Sequence, residues 1–224
     1  MTIVKDKNCI KYFVLAGAIL LCLYSNVLAN LFIPIFDNIY YGNLVDMFVA
    51  IVSAIIWGIE IGAIIFTCKK LKIELFTPKQ NKGKELQTWK VILLFALTII
   101  PMLIISACIN WKVKIVYALG VKVTTVGLAC NVCEILAYAV RMVLMVMFIV
   151  SIQKGFEFII KTKYIIPYGA IFALITFGII DFFVLAMDLR AFYLIVSFLY
   201  GVIYLVADRK FSITYILCYL IYLL

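Results

Sequence analysis

Residues Tyr164 to Met187 read YIIPYGAIFALITFGIIDFFVLAM, a run of about 24 residues in which Asp181 is the only charged side chain. At ~1.5 Å per residue, a helix of this length crosses ~30 Å of hydrocarbon. Comparable apolar runs recur along the 224 residues, 67% of which are hydrophobic. A water-soluble core cannot bury that much apolar surface, and the short alternating segments of a membrane β-barrel are not found. The sequence therefore predicts an all-α fold, a polytopic transmembrane helical bundle.

Seven hydrophobic segments predict about seven membrane spans, within a range of six to eight. The first follows three lysines but is too long for the apolar core of a signal peptide, so we expect a retained helix. The fourth segment is long, and it could begin as a re-entrant or interfacial piece near Gly120 and Gly127. The seventh segment is short, so the sequence does not decide whether it crosses the membrane fully. The segments are 12–36, 44–68, 91–109, 123–152, 164–187, 190–207 and 211–224.

The distribution of positive charge predicts the orientation. With the N-terminus in the cytoplasm, 15 of the 20 Lys and Arg residues fall on the cytoplasmic side and four on the opposite side, with Arg141 inside a span. Cytoplasmic loops are enriched in these residues, so the net charge of +9 needs no nucleic-acid partner. We expect one integral domain, 1–224, in the plasma membrane, with a basic cytoplasmic loop at about 69–90 that contacts lipid.

The seven cysteines give no metal or cofactor signal. Cys130 and Cys133 form a C-x-x-C, but the pair lies in a predicted membrane helix in a chain without histidine. We interpret these cysteines as small apolar side chains, and expect no metal and no cofactor.

Four ionisable residues fall well inside the predicted spans. Charged groups at membrane depth cost a few kcal/mol on insertion scales, so each is a candidate for a ligand site or a buried polar network. Glu134 and Arg141 are seven residues apart, so they share a helix face but stand ~10.5 Å apart along the axis. We therefore expect partners on other helices, and Arg141 with Asp181 or with Glu60 is the natural pairing. The four residues are Glu60, Glu134, Arg141 and Asp181.

Residues 128–224 contain three passages that carry a family likeness. The passage 166–181 ends in Phe177-Gly-Ile-Ile-Asp181, and it is followed by a glycine-containing helix at 198–206 and a turn and final helix at 208–219. Together they resemble the CPBP family, the CAAX prenyl endopeptidase-like membrane proteins that include the Abi bacteriocin-immunity proteins. The resemblance places Asp181 where the family has a histidine, and it implies a substrate cavity around that position.

The departures from the family pattern bear on catalysis. The chain has no histidine and no E-E-x-x-x-R motif, which in the family supply the base and the groups that orient water. Candidates for remaining chemistry are Asp181, Glu134 and Glu157, and Asp181 with Glu134 forms a hypothetical aspartyl dyad. An intramembrane endopeptidase stays open, but we favour a scaffold without peptidase activity, a pseudoenzyme. Its ligand would be hydrophobic, a peptide or lipidated peptide, or a membrane-protein partner, in a setting such as bacteriocin immunity.

Two other functions stay open. The segments Asn43-Leu-Val-Asp46 and Trp57-Gly-Ile-Glu-Ile-Gly-Ala63 have some similarity to substrate-binding subunits of vitamin-type uptake transporters. A purely structural or assembly subunit is the third interpretation. In the stretch Trp57–Ala63, Gly58 and Gly62 form a G-x-x-x-G motif, which predicts a close contact with another helix.

Overall fold

The computed structural model describes residues 2–3, 7–25, 42–76, 86–108, 125–161, 166–179 and 190–223. Within these ranges the chain is helical apart from one pair of two-residue strands, which confirms the all-helical prediction. The strands are β1 (Thr2–Ile3) and β2 (Ile160–Lys161). The seven helices are α1 (Lys7–Leu23), α2 (Gly42–Leu71), α3 (Thr88–Cys108), α4 (Thr125–Ile159), α5 (Tyr168–Gly178), α6 (Arg190–Val206) and α7 (Phe211–Leu223).

Helix α4 is the axis of the bundle. Its 35 residues extend over about 52 Å at 1.5 Å per residue. The stretch 144–153 is buried, with Leu144, Val146 and Met147 fully enclosed. Burial on all sides explains why this helix has apolar residues all round rather than on one stripe. The helices α1, α2, α5, α6 and α7 all pack against it.

Ring contacts fix the direction of two neighbours of α4. Phe13 of α1 contacts Phe156, with ring centroids 5.0 Å apart, so the start of α1 lies at the end of α4. Tyr168 of α5 stacks on Phe156 at 4.6 Å, and Phe177 of α5 meets Phe148 at 5.2 Å. Both α1 and α5 are therefore antiparallel to α4. The strands β1 and β2 also pair antiparallel at this end, with Thr2 opposite Lys161.

Polar contacts gather at this same end of the bundle. Lys154 of α4 donates to the carbonyl of Glu74, just after α2. Lys90, near the start of α3, pairs with Asp208 in the turn between α6 and α7. The segments brought together are those that the charge pattern assigns to the cytoplasmic side, and they include residues 69–76 and 86–90 of the predicted basic loop.

The outer surface of the described helices is apolar. Two helical stretches, Leu44–Leu71 and Gly127–Ile159, are long and apolar enough to cross a membrane, and the other described apolar helices are shorter. Large hydrophobic side chains are exposed along several helices, including Val14 and Leu21 of α1, Ile55, Ile59 and Phe66 of α2, and Ile92 and Phe95 of α3.

Three predictions about local structure are settled. The segment 12–36 is not one helix, because α1 ends at Leu23, where Ser25 N–H turns back to the Cys22 carbonyl at 3.0 Å. The fourth segment is continuous helix from Thr125, so Gly127 lies inside it and marks no re-entrant start there. Gly58 and Gly62 make no close contact with another described helix, since a Cβ added at either would meet no described atom within 4 Å. Gly120 lies outside the described residues.

Candidate functional site

The middle of the bundle is crossed by a seam between α2 and α4. Trp57 of α2 faces Arg141 of α4, and nearer the end of both helices Lys154 Nζ lies 3.3 Å from the carbonyl of Leu75, just after α2. Because the contacts advance in the same order on both helices, α2 and α4 run parallel. Glu134 and Arg141, predicted to share a face, both lie along this seam.

Arg141 is held by aromatic rings. Its Cζ atom lies 5.9 Å from the ring centroid of Trp57 and 5.9 Å from that of Tyr138. Such cation–π contacts stabilise a guanidinium, more strongly where water is excluded. Within the described ranges Arg141 forms no ion pair, with Glu60 or with any other carboxylate. Asp181, the other predicted partner, lies outside the described residues.

Two N–H groups at this place have no acceptor in the part of the chain that the structure describes. Arg141 Nε and Trp57 Nε1 are both buried without a hydrogen-bond partner there, and Trp57 as a whole is only 4% exposed. A buried donor without an acceptor costs about 1–3 kcal/mol, more for a charged group. The two orphaned donors therefore mark a position where an acceptor would be stabilising. We call Arg141, Trp57 and Tyr138 the Arg141 site.

Tyrosines of α7 pack beside this site. The Tyr215 hydroxyl donates to the Ala139 carbonyl at 3.3 Å, and the Tyr219 hydroxyl donates to the Ile135 carbonyl at 3.1 Å. Tyr222 packs on Tyr138, with ring centroids 4.3 Å apart. These residues occupy the final helix, and the hydrogen bonds of Tyr215 and Tyr219 join α7 to α4.

Glu134 belongs to a separate cluster toward the start of α4. Its Oε1 atom lies 3.5 Å from Cys130 Sγ, and the side chain of Asp46 completes a group whose candidate ligand atoms lie within 4.8 Å of one another. By distance these three groups could hold a cation. The sequence predicted no metal site, and Cys133, the second residue of the C-x-x-C, is not part of the group.

Glu60 has a partner in the turn that follows α1. The Ser25 hydroxyl lies 3.1 Å from Glu60 Oε2 and 2.7 Å from the Cys22 carbonyl. The sequence predicted either a partner or a protonated state for this half-buried carboxyl, and the partner is a hydroxyl rather than the guanidinium of Arg141.

Gln153 is the hub of the polar end of the bundle. It is 1% exposed, and both its amide N–H groups are used, one to Glu157 Oε1 at 2.8 Å and one to the Ile166 carbonyl at 3.0 Å. Its Oε1 accepts from Gly169 N–H at 2.9 Å. Pro167 precedes α5 and gives no side-chain cap. Gln153 therefore caps α5 from a neighbouring helix, by satisfying one of its orphan N–H groups.

Glu157 is tied into the same polar cluster. Its Oε1 also accepts from Arg209 at 2.8 Å. Asp208 and Arg209 adopt left-handed backbone angles, with φ of 53° and 62°, which is unfavourable for residues other than glycine. Ion pairs on both, to Lys90 and to Glu157, hold this turn. Glu157, a predicted catalytic candidate, thus has a bonded role between α4 and the α6–α7 turn.

The structure does not bring the described site candidates together. Glu134 and Glu157 lie 23 residues apart on one helix, about 35 Å along its axis. Arg141 lies between them, and Glu60 faces α1. Sequence reasoning missed Trp57, Tyr138 and Gln153, because aromatic and amide side chains carry no charge signal in an apolar helix. The position of Asp181 is not described, although α5 is π-helical at Leu174–Gly178, which ends three residues before it in the sequence.

Comparison with known proteins adds no family assignment, since no family model, curated protein or solved structure matches this chain.

Proposed function

We propose that the chain is a multi-pass integral membrane protein of the plasma membrane, with about seven spans and a cytoplasmic N-terminus. The exposed apolar side chains of α1, α2 and α3 support this, because lipid tails solvate such surfaces and water does not. The clustering of Lys90, Lys154 and Arg209 at one end of the bundle fits a cytoplasmic face.

Within that membrane protein we propose a ligand-binding scaffold without peptidase activity, similar in kind to a degenerate CPBP protein. The observation that carries this proposal is the Arg141 site, where the half-buried Arg141 and the buried Trp57 each present a buried N–H donor that has no acceptor among the described residues. The π-helical stretch before Asp181 adds support, because such irregular turns occur frequently at functional sites. The ligand would be a hydrophobic molecule, a peptide or a membrane-protein segment.

The separation of Glu134 and Glu157 argues against a catalytic pair made of these two carboxylates. Glu157 is engaged by Gln153 and Arg209, and it lies about 35 Å along α4 from Glu134. General acid–base chemistry requires groups within hydrogen-bond reach of the same reacting atoms. We therefore expect no turnover that depends on these two carboxylates acting together.

The proposal is tested by native mass spectrometry of the full chain, purified from its membranes into nanodiscs, alongside a peptide-library cleavage assay. We expect a bound apolar molecule to co-purify and no peptide to be cleaved. A protein that carries no bound molecule would contradict the binding role, and cleavage lost in Asp181→Asn would establish the endopeptidase instead. Co-purification of an ATPase would favour the uptake-subunit alternative.

A further inference from the structure

We propose that the Arg141 site binds the carboxylate of a hydrophobic ligand, with Trp57 Nε1 as a second donor. The proposal rests on the ligand-binding role proposed above and assigns the ligand its chemistry. It starts from the depth of Arg141, which is residue 17 of the 35 in α4. That position is about 24 Å from the first residue of the helix and about 27 Å from the last.

A cation at that depth requires compensation. An arginine at the centre of a membrane helix costs about 2.5–3.5 kcal/mol on insertion scales. Within the described ranges the compensation comes from the Trp57 and Tyr138 rings and not from a carboxylate. Cation–π contacts contribute about 0.5–2 kcal/mol each, but they satisfy no N–H group. An anionic acceptor would supply both the charge and the hydrogen bonds.

The arrangement of donors favours a carboxylate. Ring contacts use the faces of a guanidinium, whereas its N–H groups point outward in its plane, where a carboxylate binds in a bidentate manner. Arg141 Nε and Trp57 Nε1 are buried donors that have no hydrogen-bond partner within the described ranges. A carboxylate has two oxygens with about four acceptor positions, so one group can serve both side chains.

The surroundings favour a carboxylate at the end of an apolar chain. The neighbours of Trp57 on the same face of α2, Ala54 and Ile61, are half-buried hydrophobic residues packed against the core. The phosphate groups of bilayer lipids lie at the interface, about 15 Å from the middle of a ~30 Å hydrocarbon layer. A carboxylic acid can enter the apolar interior in its neutral form and ionise beside Arg141. The source is either a fatty acid or the C-terminus of an apolar peptide.

Tryptophan fluorescence gives a direct test, because Trp57 belongs to the site. In the full chain carrying Trp89→Phe and Trp111→Phe, Trp57 is the sole tryptophan of the original three. The nanodisc-embedded protein is titrated with a long-chain fatty acid and its methyl ester. It is then titrated with an apolar peptide bearing a free C-terminus and the same peptide amidated. The first pair tests the lipid source and the second tests the peptide source.

We expect a saturable change in Trp57 fluorescence with at least one of the two carboxylates. The corresponding methyl ester or amide should bind at least about 10-fold more weakly, which corresponds to about 1.4 kcal/mol of binding free energy. Arg141→Gln should weaken binding of the carboxylate by a similar factor. Ser151→Ala, a change on the same helix outside the Arg141 site where the hydroxyl bonds to the Met147 carbonyl, should leave binding within about 3-fold of the parent. If Arg141→Gln does not fold, Arg141→Lys retains the charge but loses the bidentate fork, and should still bind at least about 3-fold more weakly.

The inference would be overturned if the carboxylates and their neutral derivatives bound equally well. It would also be overturned if neither carboxylate gave a saturable response, or if the Arg141 variants bound as tightly as the parent. If native mass spectrometry found a neutral apolar molecule, the ligand-binding role would stand, but the proposal that the ligand is a carboxylate would be wrong. A protein with no bound molecule and no saturable response to any probe would remove both.

Discussion

Gly201 of α6 lies directly against the backbone of Ala170 in α5. A Cβ added at Gly201 would stand 2.3 Å from the Ala170 Cα atom and 2.6 Å from its Cβ atom. Real Cβ atoms do not approach other atoms so closely, and the nearest neighbours here are main-chain atoms that cannot rotate away. The α5–α6 crossing therefore depends on the missing side chain, and it positions the helix that leads toward Asp181.

Gly201→Ala should lower the free energy of unfolding by about 2–3 kcal/mol, because the added methyl group must push two packed helices apart. Gly62→Ala is the matched control, since a Cβ there meets nothing within 4 Å, and alanine is the better helix former. Thermal or denaturant unfolding in detergent measures both. A Gly201→Ala protein as stable as the parent would show that the two helices do not cross at this point.

Gln153→Leu should lower the free energy of unfolding by about 2 kcal/mol, because it removes three hydrogen bonds and leaves the Gly169 N–H without an acceptor. Ser151→Ala is the control on the same buried stretch of α4, where the hydroxyl bonds only within its own helix, to the Met147 carbonyl at 2.8 Å. It should cost less than about 1 kcal/mol. Equal losses in the two variants would mean that Gln153 does not cap α5.

Tyr204→Phe should leave stability within about 0.5 kcal/mol of the parent or raise it, because the buried Tyr204 hydroxyl has no hydrogen-bond partner. Tyr219→Phe removes a hydroxyl that donates to the Ile135 carbonyl, and should cost about 1 kcal/mol. The two variants delete the same atom, so unfolding curves recorded side by side isolate the hydrogen bond. A loss above about 1 kcal/mol for Tyr204→Phe would reveal an acceptor for that hydroxyl.

Single cysteines introduced into a cysteine-free background should react with a membrane-impermeant thiol reagent from opposite sides of the membrane. Lys72→Cys, exposed at the polar end of the bundle, should label only from the cytoplasmic side. Lys112→Cys lies in a segment that the charge pattern places outside, and it should label in intact cells. Labelling of both from one side would contradict the proposed topology.

The helices themselves were predictable, because long apolar runs have few alternatives to a helix. Their ends were less so. Leu23 ends α1 inside the hydrophobic segment 12–36, and hydrogen bonds of Tyr24 and Ser25 make the turn there. In the sequence this place is marked only by the short polar pair Ser25-Asn26 within a long hydrophobic segment. The contact of Cys130 with Glu134 follows from helical spacing of four residues, whereas the addition of Asp46 depends on how α2 docks.

The partners of the candidate residues were harder to predict than their need for partners. Arg141 was expected to find a group on another helix, and Trp57 of α2 is that group. Glu60 was expected to have a partner or a protonated state, and its partner is Ser25, just after α1. Charge suggested carboxylates for Arg141, whereas the structure supplies Trp57, a residue with no charge and no helical spacing to reveal it. Glu157 and Arg209 are 52 residues apart, so their ion pair depends on the turn between α6 and α7.

An experimental structure of the full chain in nanodiscs, carrying whatever co-purifies, tests the central claim most directly. We predict density for an acceptor group within hydrogen-bond distance of both Arg141 Nε and Trp57 Nε1, continuous with an apolar chain between the helices. Density showing the Asp181 carboxylate in that position, or a dry guanidinium contacting only the Trp57 and Tyr138 rings, would contradict the account. In that case Arg141 would fix how the helices pack and would bind no ligand.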